Sequence, residues 1–211
     1  MPTEPTIKRA CAFFDGQSLF HAVKKSFGYM YPNYDPKLLS DEIAKSENWN
    51  LHRILFYTGI PDSTDNSFWN HFWTAKLAVM GTRGIEVFSR PLRYRLQTFL
   101  LPNGTTISKP VGQEKGIDVR IALDIVRLAR ENAYDVALIF SQDQDLSEAV
   151  DEVKAISTQQ RRWIKTACAF PISPTYDNKR GINNTEWVKI DRSAYDSCVD
   201  QNDYRPKLQK P

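Results

Sequence analysis

Ala10-Cys11-Ala12-Phe13-Phe14-Asp15-Gly16-Gln17-Ser18-Leu19-Phe20 holds the change from one periodicity to another. Five apolar residues run unbroken up to Asp15-Gly16, after which Leu19, Phe20, Val23 and Phe27 recur at helical spacing. The reading is strand, tight turn, helix, with Asp15 closing the strand. A second apolar run, Val136 to Phe140, ends in the same way at Ser141-Gln142-Asp143-Gln144-Asp145, ahead of a helix from about Asp145 to Ile156. Around these two units lie a helix opening after Asp35-Pro36, a strand Leu51 to Thr58 and an amphipathic helix through Trp69, Phe72, Trp73, Leu77 and Met80. A strand Ile85 to Ser89, a long helix from about Gly116 to Asn132 and a strand Trp163 to Phe170 complete the pattern. Strands alternating with helices predict an α/β fold with a mainly parallel sheet covered on both faces.

The period changes between Pro91 and Gly112. There Arg93, Arg95 and Gln97 alternate with Tyr94 and Leu96 before a turn at Pro102-Asn103-Gly104-Thr105, which predicts a β-hairpin inserted at about 90–112. From Pro171 onward the chain is rich in Pro, Asn, Asp and Gly. It reads as a loosely structured C-terminal extension, 171–211, in which Thr185 to Ile190 could add an edge strand.

Composition removes whole classes of function. The 211 residues carry 28 Lys and Arg against 25 Asp and Glu, and 41% hydrophobic with 25% charged residues is ordinary globular usage, so disorder and fibrous repeats are excluded. Cys11, Cys168 and Cys198 are odd in number and far apart, and His21, His52 and His71 form no HxxxH pair, which argues against zinc and thiol chemistry. Glu4 and Lys8 fall where a signal peptide needs apolar residues, and no apolar run approaches the roughly 18 residues of a membrane span. The expectation is a soluble cytoplasmic protein without membrane contact. No GxxxxGK[ST] loop is present, which disfavours a nucleotide triphosphatase.

In open parallel sheets ligands bind off the carboxyl ends of the strands. Asp15, Asp143 and Asp145 would share that rim. The long helix adds a fourth acid, because its apolar residues Ile117, Ile121, Ala122, Ile125, Leu128 and Ala129 gather on one face with Asp118 among them. Asp124 falls with Arg120, Arg127 and Glu131 on the opposite side, where a solvated salt bridge is expected. Carboxylates converging on one rim repel, and a hard divalent cation, Mg2+ or Mn2+, keeps them ionised together. Such a site can activate water against a phosphodiester. Each acid also has a plainer reading: Asp15 as a turn residue, Asp143 as a cap, and Asp145 with Glu148 as a capping box.

Phe14-Asp15-Gly16-Gln17-Ser18-Leu19, Lys115-Gly116-Ile117-Asp118-Val119 with Leu123-Asp124, and Ser141-Gln142-Asp143-Gln144-Asp145-Leu146 resemble the three blocks of NYN domains, of the PIN-like nuclease superfamily, over about residues 8–170. The resemblance implies a three-layer α/β/α fold and a magnesium- or manganese-dependent ribonuclease. Its metal and catalytic acids would be those matching Asp15, Asp118, Asp143 and Asp145, with Gln17, Ser18, Ser141 and Asp124 in support. One departure stands out, since similar proteins commonly carry Asn where this chain has Ser18, and a hydroxyl lacks the paired donor and acceptor of an amide. RNA as partner is compatible with a basic strip of Arg90, Arg93, Arg95, Lys109 and Lys115 interleaved with Tyr94, although a solvated edge strand favours the same residues. Two rivals remain at this stage. One is a non-catalytic RNA-binding or partner-binding module on the same fold, with a homodimer or another protein partner open. The other is a phospho-aspartate enzyme at Asp15, weakened because Asp15-Gly16-Gln17 lacks a second Asp two residues on.

Overall fold

A computed structural model describes residues 2–207. Strand β1 (Arg9–Asp15) runs into α1 (Gly16–Phe27) and α2 (Pro36–Ser46), followed by β2 (Asn50–Ile60), α3 (Ser67–Thr82) and β3 (Glu86–Pro91). The hairpin β4 (Arg93–Leu100) and β5 (Thr106–Gln113) comes next, then α4 (Ile117–Arg130), β6 (Val136–Phe140), a 3-10 turn Gln144–Leu146 and α5 (Ser147–Gln159). β7 (Lys165–Pro171), β8 (Glu186–Ile190) and the short α6 (Arg192–Asp196) are the last elements among the described residues, followed by an irregular segment. The central sheet has the order β3-β2-β1-β6-β7-β8 with every pairing parallel, while β4 and β5 pair antiparallel as a separate two-stranded sheet. This is a three-layer α/β/α architecture. Among the described residues no helix is long and apolar enough to cross a membrane.

The alternation of β1 makes the two layers. Ala10, Ala12 and Phe14 point into a core with Leu19, Val23, Leu39, Phe72 and Trp73 of the first three helices. Cys11 and Phe13 point the other way, into a core with Ile121, Ile125 and Leu128 of α4 and Val150 and Val153 of α5. With both faces covered, β1 and β6 are apolar throughout, as central parallel strands must be. The chain leaves β1 toward β2 and β3 and later returns through β6 to β7 and β8. The strand order therefore reverses between β1 and β6, which is where an open sheet leaves a crevice. The far ends of these strands are pinned by Arg9, whose guanidinium and main-chain N–H donate to Asp135 at 2.9–3.0 Å.

Two expectations are corrected. The stretch after Pro171 adds the edge strand that Thr185 to Ile190 suggested, as β8, but the residues beyond it, read as loose, instead strap the first helical layer. Tyr195 is fully buried and donates to Asn33 (2.7 Å), the main-chain N–H of Asp35 reaches Cys198 O (2.8 Å), and the ammonium of Lys76, itself fully buried, holds Tyr34 O (2.8 Å) and Asp200 (3.4 Å). Asp124, expected in solvent, is buried against Tyr57, which donates to it at 3.0 Å, while Arg120 and Arg127 reach it from outside at 2.7 and 3.1 Å. Asp118 is the half-exposed one. The buried stripe of α4 is centred on Ile121, so at about 100° per residue Asp118 and Asp124 flank it at about 60° on opposite sides. Counting the small Ala122 as core shifts the apparent centre toward Asp118.

Removing Asp200 should leave the Lys76 ammonium without its counter-charge in the core. Asp200→Ala is expected to cost about 3–5 kcal/mol of unfolding free energy in urea. Asp203→Ala, which loses only the exposed Arg205 pair, should leave the midpoint unmoved. Equal midpoints for the two variants would contradict the strap.

Candidate functional site

The β1–β6 crevice is held by a short chain of hydrogen bonds. Asp15 caps α1, its Oδ1 accepting the Ser18 N–H at 3.0 Å, and its Oδ2 accepts the buried Ser141 hydroxyl at 3.1 Å. The Ser141 Oγ lies 3.2 Å from the Ser18 Oγ and accepts the Asp143 N–H at 3.1 Å. Ser18 is thus the contact between α1 and the loop after β6, and it also accepts the Gln142 N–H at 3.4 Å. Asp143 in turn caps the 3-10 turn through the Asp145 N–H (3.0 Å). The two glutamines flanking Asp143 clamp the loop after β7: Gln142 donates to the carbonyls of Asn178 and Arg180, and Gln144 to that of Gly181.

A cleft of about 410 Å³ opens over this network, lined by Asp15, Gln17, Ser18, His21, Leu92, Gly112, Glu114, Asp118 and Asp143. It brings together three of the four acids read from the sequence. Asp145 lies elsewhere, exposed in the adjoining groove between α4 and α5 that shares Asp118 as its rim. Gln17 lines the wall, its amide 3.5 Å from Gly59 O. Glu114 was not read as a site residue. It sits in the three-residue connector between β5 and α4, and its carboxylate accepts the Gly59 N–H at 3.0 Å. A side chain at position 59 would meet the ends of Glu114 at 2.8 Å and Leu92 at 2.6 Å, so in the present arrangement glycine lets both close over the end of β2. The signal available was position: Glu114 stands four residues before Asp118, beside the Lys115 already singled out. His21, one turn into α1, was likewise missed, and burial followed by Lys24 and Lys25 lowers its pKa, which favours the neutral ring.

The acids of the cleft carry unrelieved charge. Burial pushes Asp15 up to about 6; the Ser18 N–H and Ser141 hydroxyl oppose that, and Asp143 and Asp118 push it further up. Glu114 rises to about 7, first from burial and then from the charge of Asp15, with the Gly59 N–H opposing and Asp118 adding. Elsewhere burial also works against Asp124 and Asp135, yet their arginine partners win and both stay below the usual range. Among the described residues no Lys, Arg or His forms an ion pair with Asp15, Glu114, Asp118 or Asp143. The rim is basic nonetheless. Arg90 lies over the Phe88 ring (5.2 Å) with a guanidinium nitrogen 2.9 Å from where a Gly116 side chain would start, and Lys115 is exposed next to it. Arg93 and Arg95 are exposed on β4, and Lys109 on β5 lies over Phe99 (5.0 Å). Tyr94, expected to offer its ring, uses its hydroxyl to fasten the hairpin, accepting the Asp62 N–H and donating to Asp65.

A family model described as NYN domain matches residues 9–159, which include every acid of this cleft. The chain belongs to the NYN family. NYN domains are a PIN-like nuclease family, so the fold is nuclease-like. No curated protein matches the chain. Among solved structures it is similar to a protein of unknown function from Vibrio parahaemolyticus, with a TM-score of 0.53 and 18% identity over 90% of this chain and 97% of that one. At that identity the likeness concerns the fold alone. It extends past the NYN match, whose end at 159 precedes β7 and β8.

The raised acids give a pH signature. Because Asp15 and Glu114 hold protons in the folded state above their ordinary values of 3.8 and 4.5, folding takes up protons between about pH 4 and pH 7. Stability from these groups is therefore full at low pH and falls as pH rises through that window. Asp15→Asn keeps the cap and removes the charge. It should unfold at higher denaturant than wild type at pH 8, by on the order of 1–3 kcal/mol, with the gap closing near pH 4. A variant less stable than wild type at pH 8 would refute the cost of burying this charge unpaired.

Proposed function

We propose that this NYN-domain protein is a divalent-cation-dependent endoribonuclease whose active site is the β1–β6 cleft. The observation that carries the reading is the set of four acids, Asp15, Glu114, Asp118 and Asp143, facing one cleft with, among the described residues, no cationic side chain paired with them. Donor chemistry supports a hard cation, since all four offer oxygen, and Asp15 is kept buried at a cost that a counter-ion removes. Among the described residues no three His, Cys, Asp or Glu side chains are drawn together as a ready metal-binding group. Mg2+ tolerates this spread, because it keeps several of its waters and takes only one or two carboxylates directly.

In this reading Asp15, Asp118 and Asp143 would hold the cation, one or two of them directly and the rest through its waters, and Asp145, in the adjoining groove, would be no more than an outer contact. A bound divalent cation supplies positive charge against the phosphodiester oxygens and makes water a stronger acid. The remaining work falls to the chain. Ser141 and Ser18 fix the Asp15 carboxylate, and Glu114, held by the Gly59 N–H, accepts the proton that water loses as it attacks phosphorus. The N–H of neutral His21 donates a hydrogen bond to the departing oxygen, which takes its proton from solvent water. Arg90 and Lys115 bind the flanking phosphates of an RNA strand, with Arg93, Arg95 and Lys109 extending the track along the hairpin.

A second reading, an NYN fold that binds RNA without cutting it, draws on the absence of a ready trio of ligands and on Ser18 in the place of the usual Asn. The two separate in one experiment. Labelled single-stranded and hairpin RNAs are incubated with the protein and Mg2+ or Mn2+, with and without chelator, beside Asp143→Asn. Cleavage that stops in chelator and drops by at least about 100-fold in Asp143→Asn, with an unchanged circular dichroism spectrum, supports the nuclease. Salt-sensitive binding without any cleavage supports the binder, and full cleavage by Asp143→Asn rejects the assigned site.

A further inference from the structure

Beyond Tyr94, the hairpin stands apart from the body. It is a two-stranded sheet of its own, attached at its base where Leu92 and Gly112 line the cleft. Leu96 is 75% exposed, Leu100 76% and Ile107 49%, and Phe99 and Leu101 are exposed beside them. Two strands alone are marginal in water, and a flat strand rich in exposed apolar side chains invites another strand. The two outer edges of the arm are unlike. β5 carries Pro110, which has no N–H to give, and Gly112, whereas β4 has neither between Arg93 and Leu100. The outer edge of β4 is thus an uninterrupted row of main-chain donors and acceptors.

That edge is complementary to itself. In an antiparallel register with Thr98 facing Thr98 of a second copy, Leu96 falls opposite the second copy's Leu100, Gln97 opposite its Phe99 and Arg95 opposite its Leu101. Leu96 and Leu100 meet as an apolar pair on one face, and no two cations face each other. A register slipped inward, with Arg93 opposite Arg95, sets like charges together and is disfavoured. The two-fold axis through Thr98 makes the contact closed, so assembly stops at two chains.

We propose that the hairpin is a dimerisation arm, in which β4 pairs antiparallel with β4 of a second copy to form a four-stranded sheet. Within each hairpin Arg95 pairs across with Val111 and Gln97 with Lys109, so Arg93, Arg95 and Lys109 share one face. The pairing uses the edge of the arm and leaves that face open in both copies. The dimer is independent of whether the cleft cuts RNA, and its test needs neither RNA nor cation.

Sedimentation of the full chain should show twice the chain mass at about 10–100 μM, and Thr98→Pro, which removes a main-chain donor from the edge, should return it to one. Because Pro could disturb the hairpin itself, Leu96→Lys/Leu100→Lys is the second variant, placing cations opposite each other at the contact; it too should be monomeric with an unchanged circular dichroism spectrum. The native cysteines Cys11, Cys168 and Cys198 are all buried, so Thr98→Cys should give an intermolecular disulfide under mild oxidation while Ser108→Cys, on the opposite strand, should not. A monomeric wild type, or a dimer that survives both edge variants, overturns the proposal. Edge variants that weaken single-stranded RNA binding of a monomeric wild type would mark the arm as a nucleic-acid surface instead.

Discussion

Asp15 carries the constraint on which the rest of the site depends. It is a carboxylate at the end of a buried strand, with one oxygen committed to the first turn of α1 and the other to Ser141 at the end of β6. Those two bonds join the strands on either side of the chain reversal and start the helix that covers them. Neither bond carries positive charge, so the acid is tied in place while its charge stays unneutralised. Burial without a cation is unfavourable for a carboxylate, and the buried acids Asp124 and Asp135, which serve the fold, are each met by arginines. The absence of such a partner at Asp15 therefore distinguishes it from an ordinary structural acid.

Much of this was legible in the sequence because central parallel strands must be apolar on both faces and must end abruptly. Ala10 to Phe14 and Val136 to Phe140 announce themselves by composition, and Asp15 and Asp143 follow from where those runs stop. The hairpin was legible from alternation and from Asn103-Gly104, where the chain turns through a glycine at φ +79°. The strap after β8 was not, because its order comes from specific bonds rather than from an apolar stripe. A buried Lys76 joined to Asp200, and a Tyr195 hydroxyl on Asn33, join segments more than 120 residues apart, and neither residue type signals burial on its own.

The helix α4 shows why acids within a helix are harder to assign than acids after strands. Asp118 and Asp124 border the same buried stripe from two sides, and which one meets solvent depends on what each side faces. Asp124 meets Tyr57 of β2, while Asp118 meets the cleft. Glu114 was hidden for a different reason: a connector has no period, so only the closeness of Gly59 and Leu92, visible in three dimensions, turns its side chain inward.

The cations near the cleft are placed with equal consistency. Arg90 and Arg120 lie over the ring of Phe88 and Lys109 over Phe99, where attraction to the ring faces holds the side chains without consuming their charge. Arg120 alone is also committed to a carboxylate, Asp124. The outcome is a negative cleft beside a positive rim, with the two kept from neutralising each other. On the reading proposed above, a polyanion would be drawn first to the rim and its phosphate would enter the cleft together with a cation, because among the described residues no cationic side chain is paired with the acids there.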